Sequence, residues 1–202
     1  MKNRPRDKKA GIIILAILFV LSVVDVILRA STLKNIASTA ANHGEVFMTA
    51  ALSLLLIIFA LKGKDRVFHI LCGVWLGYFV LEQLFRLPYI ISSFFTVWGL
   101  FASIVPVVAL LLRLAGMICV IAIGALLVEY MNDGTIYIKA FNGFCVAAVL
   151  VFIGSICIDI HAYTVGGEVS IILSALNSLS SIVMVFLFSF FAYDGAKARL
   201  KK

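Results

Sequence analysis

Long apolar runs, broken only by short polar or turn-forming stretches, dominate the chain. The first runs from Gly11 to Ala30 behind a basic segment holding Lys2, Arg4, Arg6, Lys8 and Lys9. It is too long for the apolar part of a signal peptide, and no clear small-residue cleavage site closes it, so it reads as an uncleaved first helix. About 20 apolar residues suffice to cross a bilayer as a helix. On that measure the pattern predicts spans at 11–30, 45–62, 67–87, 107–128, 138–160 and 169–193. Asn42 and Glu45 have the spacing of a capping box ahead of the second. Pro88 is expected to stop the third. The stretch from Phe94 to Val128 would be roughly 50 Å of helix at about 1.5 Å per residue, and Pro106 is expected to divide it. That leaves 94–105, with Trp98 and its phenylalanines, as a short interfacial or re-entrant piece. Asn132-Asp133-Gly134, Gly166-Gly167 and Asp194-Gly195 mark the remaining ends.

Composition then fixes the solvent. Of 202 residues, 63% are hydrophobic and only 13% charged, and the mean hydropathy is +1.15. Soluble domains carry about 25% charged residues, so this chain lacks the polar groups to cover a water-facing surface. Within lipid every backbone polar group needs an internal partner, which leaves helix bundles and closed barrels. Barrel strands alternate in polarity, whereas these runs are continuously apolar. The expected fold is an all-α integral membrane protein, a single domain over residues 1–202 built as a bundle of six transmembrane helices. Its main partner is the lipid bilayer.

Charge sets the orientation. With the N-terminus inside, the inner segments hold 13 of the 17 basic residues, and the outer loops hold only Lys34. Cytoplasmic loops concentrate Lys and Arg, so both termini are expected in the cytoplasm, most naturally at the cell membrane. Topology thus accounts for the formal net charge of +7. No basic stripe with interleaved aromatics points to nucleic acid.

Ionisable residues within spans are costly and tend to mark function. Here they are Asp25, Arg29, Glu82, Arg86, Arg113 and Asp159, with His161 just beyond. All fall toward the outer half of the predicted bundle. Asp25/Arg29 and Glu82/Arg86 are each an acid four residues before an arginine, which places both groups on one helix face. Arg113 lies too deep in its span for easy snorkelling and should find an acid across the bundle, from Asp25, Glu82 or Asp159. The sixth span carries a polar stripe of Ser170, Ser174, Asn177, Ser178 and Ser181. Together Arg113, Asp25, Arg29, Glu82, Arg86, Asp159, Asn177 and His161 are candidates for an outward-facing site that binds a small charged or zwitterionic solute. The leading expectation is therefore a transport-type or solute-binding protein. One alternative is a non-catalytic assembly or regulatory subunit, joined to a membrane partner subunit, whose charges are structural ion pairs. Another is a membrane enzyme with an unrecognised site.

Other features add less. Gly73 and Gly77 form a G-x-x-x-G expected to let a neighbouring helix of the same chain approach. Cys72, Cys119, Cys145 and Cys157 sit in apolar runs without C-x-x-C spacing and read as small hydrophobes. His43, His69 and His161 fall at different faces, which disfavours a shared metal or haem. The sequence implies no cofactor, and it carries no zinc-protease, nucleophile-elbow or Walker A motif.

Overall fold

The computed structural model describes residues 5–33, 44–100, 104–133, 138–166 and 169–199. Six helices follow in chain order: α1 (Pro5–Leu33), α2 (Gly44–Leu61), α3 (Asp65–Leu100), α4 (Ile104–Asp133), α5 (Ile138–Gly166) and α6 (Val169–Arg199). Regular structure among the described residues is entirely helical. Five helices are long and apolar enough to cross a membrane, all but α2. At 18 residues, α2 measures about 27 Å, a little under the roughly 30 Å of a hydrocarbon core.

Two compact units partition the chain. One comprises Met1–Trp75 and Phe186–Lys202, the other Leu76–Val185. In the first unit α1 packs along α2, and in the second α4 packs along α5. Glycines make sockets for large side chains in both. A Cβ on Gly11 would lie 2.7 Å from the Phe190 ring, one on Gly116 2.8 Å from Phe152, and one on Gly124 2.6 Å from Val80. Leu112 in turn rests over Gly154. The pairs 112/154 and 116/152 run in opposite senses, so α4 and α5 are antiparallel.

The α2–α3 connection is a Schellman turn. Gly63 takes φ +67°, a left-handed conformation that costs other residues steric strain. The Gly63 amide donates to the Ala60 carbonyl at 3.3 Å and the Lys64 amide to that of Phe59 at 3.1 Å. These bonds satisfy carbonyls left open at the helix end.

Three expected boundaries move. Pro88 lies inside α3, which runs on to Leu100. Proline removes one helical hydrogen bond and its ring crowds the preceding turn, but ending the helix there would leave four carbonyls without helical partners. Residues 94–100 are accordingly the last turns of α3 rather than part of a separate re-entrant piece, and 101–103 lie outside the described residues. Pro106 falls in the first turn of α4, where its missing N–H has no helical partner to lose. Asp194-Gly195 does not end α6, which continues to Arg199. A helical glycine costs only about 1 kcal/mol. Asn42 and Gly134 lie outside the described residues.

Helix surfaces are patterned inversely to those of a soluble protein. On α1, Ile13, Ile17, Val20, Val24 and Ile27 form an exposed, wholly apolar stripe, while Leu15, Leu18, Ser22 and Asp25 are buried. On α5, Val146, Leu150, Ile153 and Ile160 are exposed, while Phe141, Cys145, Ala148, Ser155 and Asp159 are buried. Helical spacing generates each stripe. The polar residues are on the inner ones.

Candidate functional site

In the second unit, inward faces of three helices converge on Arg113, Asp159 and Ser174. Arg113 stands on the face of α4 that carries the buried Met117, Val120, Ile123 and Leu127. Asp159 ends the inner stripe of α5. On α6, Ser174 shares its stripe with the buried Ser178, Ser181 and Val185. Arg113 is near the start of α4, Asp159 near the end of α5 and Ser174 near the start of α6, so up-and-down helices bring them to one end of this unit.

The guanidinium Nη2 of Arg113 donates a hydrogen bond to Ser174 Oγ at 2.7 Å. The same nitrogen is 3.8 Å from Asp159 Oδ1. That separation gives Coulomb attraction without a hydrogen bond, whose N–O distance is about 2.7–3.2 Å. The Arg113 side chain is 43% exposed and that of Asp159 only 9%. Asp159 Oδ2 is buried and has no hydrogen-bond partner among the described residues. Arg113 is therefore on the inner face of its helix yet accessible, and it meets an acid on another helix, with Asp159 the one of the three expected partners.

The other candidates form local pairs. Arg29 Nε donates to Asp25 Oδ1 at 2.8 Å within α1, with both side chains mostly buried. Arg86 Nη2 is 2.6 Å from Glu82 Oε1 within α3. Asp25 and Arg29 belong to the first unit, and Glu82, Arg86, Arg113 and Asp159 to the second. Asn177 and His161 are exposed. The Asn177 carbonyl accepts from Ser181 Oγ at 2.9 Å, so Ser181 bonds along its own helix. Ser170 has a side chain outside the described residues. Among the described side chains of the α6 stripe, Ser174 is the one with a hydrogen bond to another helix. Its position on that stripe was the only sign of this in the sequence.

The G-x-x-x-G expectation is corrected at one of its two positions. A Cβ on Gly73 would meet the Phe191 ring at 3.4 Å, an ordinary contact, but one on Gly77 would meet nothing within 4 Å. Gly73 thus meets a side chain of α6, as expected, and Gly77 does not meet a neighbour. The Phe191 ring also contacts His69, with centroids 6.0 Å apart. Among the described residues no group of three His, Cys, Asp or Glu side chains is placed to hold a metal ion. The cysteines there form no disulfide.

No protein-family model, curated protein or solved structure matches this chain. Its function is therefore argued from its own residues.

Proposed function

We propose that the chain is a multi-pass protein of the cell membrane with six transmembrane helices and cytoplasmic termini. Its role is to bind or carry a small charged or zwitterionic solute at an outward-facing site centred on Arg113, Asp159 and Ser174. Support for the membrane setting comes from the exposed apolar stripes of α1 and α5, which suit lipid and not water. Support for the orientation comes from the basic residues, including Lys62, Lys64 and Arg66, which are exposed around the α2–α3 turn. In this topology α2 crosses with slight thinning of the bilayer, an inexpensive adjustment.

The observation that carries the solute reading is the unfinished pairing of Asp159. A carboxylate in a low-dielectric setting is tolerated when it is paired and hydrogen-bonded. Asp159 has a cation close by, but among the described residues one of its oxygens has no donor. Arg113 offers an accessible edge beside it. Guanidinium recognises carboxylate or phosphate through two parallel hydrogen bonds.

The second reading, a structural or regulatory subunit, draws on Asp25–Arg29 and Glu82–Arg86. Each acid there is held by an arginine of its own helix, which describes a charge pair serving insertion and stability. Arg113 and Asp159 separate the readings. Purified full-length protein should gain thermal stability from charged or zwitterionic small molecules, and Arg113→Gln should abolish the gain while remaining folded. If Arg113→Gln keeps every ligand response of the parent, the solute reading fails at this site.

Topology has its own test. After replacement of the four native cysteines, single cysteines at positions 64 and 201 should resist a membrane-impermeant maleimide in intact cells. Labelling of either from outside would reverse the orientation.

A further inference from the structure

Arg113 and Asp159 are neighbours that do not satisfy one another. At 3.8 Å they are too far apart to share a hydrogen bond, and Arg113 spends its nearest N–H on Ser174. Among the described residues Asp159 Oδ2 has no donor. A carboxylate turns easily about its last torsion, which is broad and nearly two-fold. Either oxygen of Asp159 can therefore be presented to a donor arriving beside Arg113.

Charge balance selects among ligands. The centre holds one positive and one negative side chain, with Ser174 neutral. A lone anion on Arg113 would leave an unbalanced negative charge beside Asp159. A lone cation on Asp159 would leave a positive one beside Arg113. Unbalanced charge is strongly disfavoured where water is scarce. A ligand carrying both signs keeps the centre neutral and provides the donor that Oδ2 lacks. Geometry then limits its size. The two receiving groups are adjacent, so the ligand's two charged groups must be on one carbon or on neighbouring carbons. A zwitterion with its charges at opposite ends of a long chain cannot serve both without folding back on itself.

We infer that the centre takes a compact zwitterion of the α-amino acid type, its ammonium on Asp159 and its carboxylate on Arg113, with Ser174 holding the guanidinium in place. This inference rests on the solute-binding reading above and narrows it to a chemical class. Single-charge compounds pair with one side chain and leave the other unbalanced, so they are rejected by charge, and long zwitterions by the spacing of their charges.

The test is equilibrium dialysis of the full chain in lipid nanodiscs against labelled glycine, alanine, leucine, acetate, methylammonium and 6-aminohexanoate. The expected result is saturable binding of at least one α-amino acid, with the last three compounds weaker by roughly tenfold or more, the factor for about 1.4 kcal/mol. Asp159→Asn gives the centre a net positive charge and should invert the order, so that acetate outcompetes the amino acids. Ser174→Ala should keep the class preference and weaken binding several-fold, which gives a readout if Asp159→Asn fails to fold. Acetate bound by the parent as tightly as every α-amino acid would overturn the zwitterion inference and leave an anion site on Arg113. Unchanged amino-acid binding in folded Asp159→Asn would also overturn it. If the folded parent bound no probe, both the inference and the solute reading would fall.

Discussion

Asp25 and Asp159 begin from the same circumstances and are resolved differently. Each is a buried aspartate on the inner stripe of a long apolar helix, and each follows a buried serine by about one turn, Ser22 and Ser155 respectively. Four residues beyond Asp25 stands Arg29, and the two close at 2.8 Å. Four residues beyond Asp159 stands Tyr163, which is exposed. No cation lies within a turn of Asp159 on its own helix, so its countercharge has to come from α4. Arg113 supplies it at 3.8 Å while bonded to α6. A pair within one helix can form before any tertiary contact and needs none to persist. A pair across helices depends on the packing of three elements and can be left incomplete. The arginine of the incomplete pair is also the more accessible of the two, 43% exposed against 16% for Arg29, which is why the functional proposal rests there and not on Asp25.

Removing a partner should expose the contrast most strongly at the tertiary pair. Arg113→Ala leaves Asp159 buried with no cation. The expected loss is roughly 3 kcal/mol, the low end of the range for a broken buried pair because Arg113 is partly exposed. Arg113→Lys should restore much of that stability and lose the two-pronged recognition of an anion. Thermal unfolding in one detergent, with the three proteins compared side by side, checks this. A fully stable Arg113→Ala would mean that Asp159 finds its partner elsewhere.

Within α1 the effect should be smaller. A double-mutant cycle with Asp25→Asn and Arg29→Gln should give a coupling on the order of 1 kcal/mol, above the few tenths found for exposed i,i+4 pairs because these side chains are mostly buried. Near-zero coupling would put the pair on the same footing as an ordinary surface contact. Ser174→Ala should cost about 1 kcal/mol, the usual worth of one hydrogen bond. It is also expected to reduce the stability difference between parent and Arg113→Ala, since the serine acts through that arginine.

The smallest effect belongs to Gly77, and Gly124 is its control. Gly77→Ala has open space for its methyl group and should be neutral or slightly stabilising, as alanine favours helix by up to about 1 kcal/mol. Gly124→Ala meets Val80 at 2.6 Å and should destabilise by about 1–3 kcal/mol through overpacking. Equal melting of the two variants would contradict the packing described for α3 and α4.

What the sequence made legible follows the range of each interaction. Helix number and most boundaries were readable because apolar runs and turn residues are local signals. The Asp25–Arg29 and Glu82–Arg86 pairs were readable because a four-residue spacing fixes geometry within a helix. Pro88 misled because its cost, one backbone bond and a crowded turn, stands against the four carbonyls that a helix end would leave without helical partners. Arg113 could be expected to meet an acid, but which one depended on how α4 and α5 are set against each other. That setting comes from the reciprocal sockets of Gly116 with Phe152 and Gly154 with Leu112, which no periodicity announces. Gly77 misled for the complementary reason, since a small-residue motif states where a neighbour can approach and not whether one does.

The contrast between the two aspartates is tested most directly by the stabilisation that an α-amino acid confers on the parent, Asp25→Asn and Asp159→Asn, measured as thermal shifts at a fixed saturating concentration. A ligand at a hundred times its dissociation constant stabilises by about 2.7 kcal/mol, enough to read in all three. The expected result is a shift in the parent, the same shift in Asp25→Asn and none in Asp159→Asn. An equal shift in both variants, or its loss in both, would contradict the assignment of the site to Asp159.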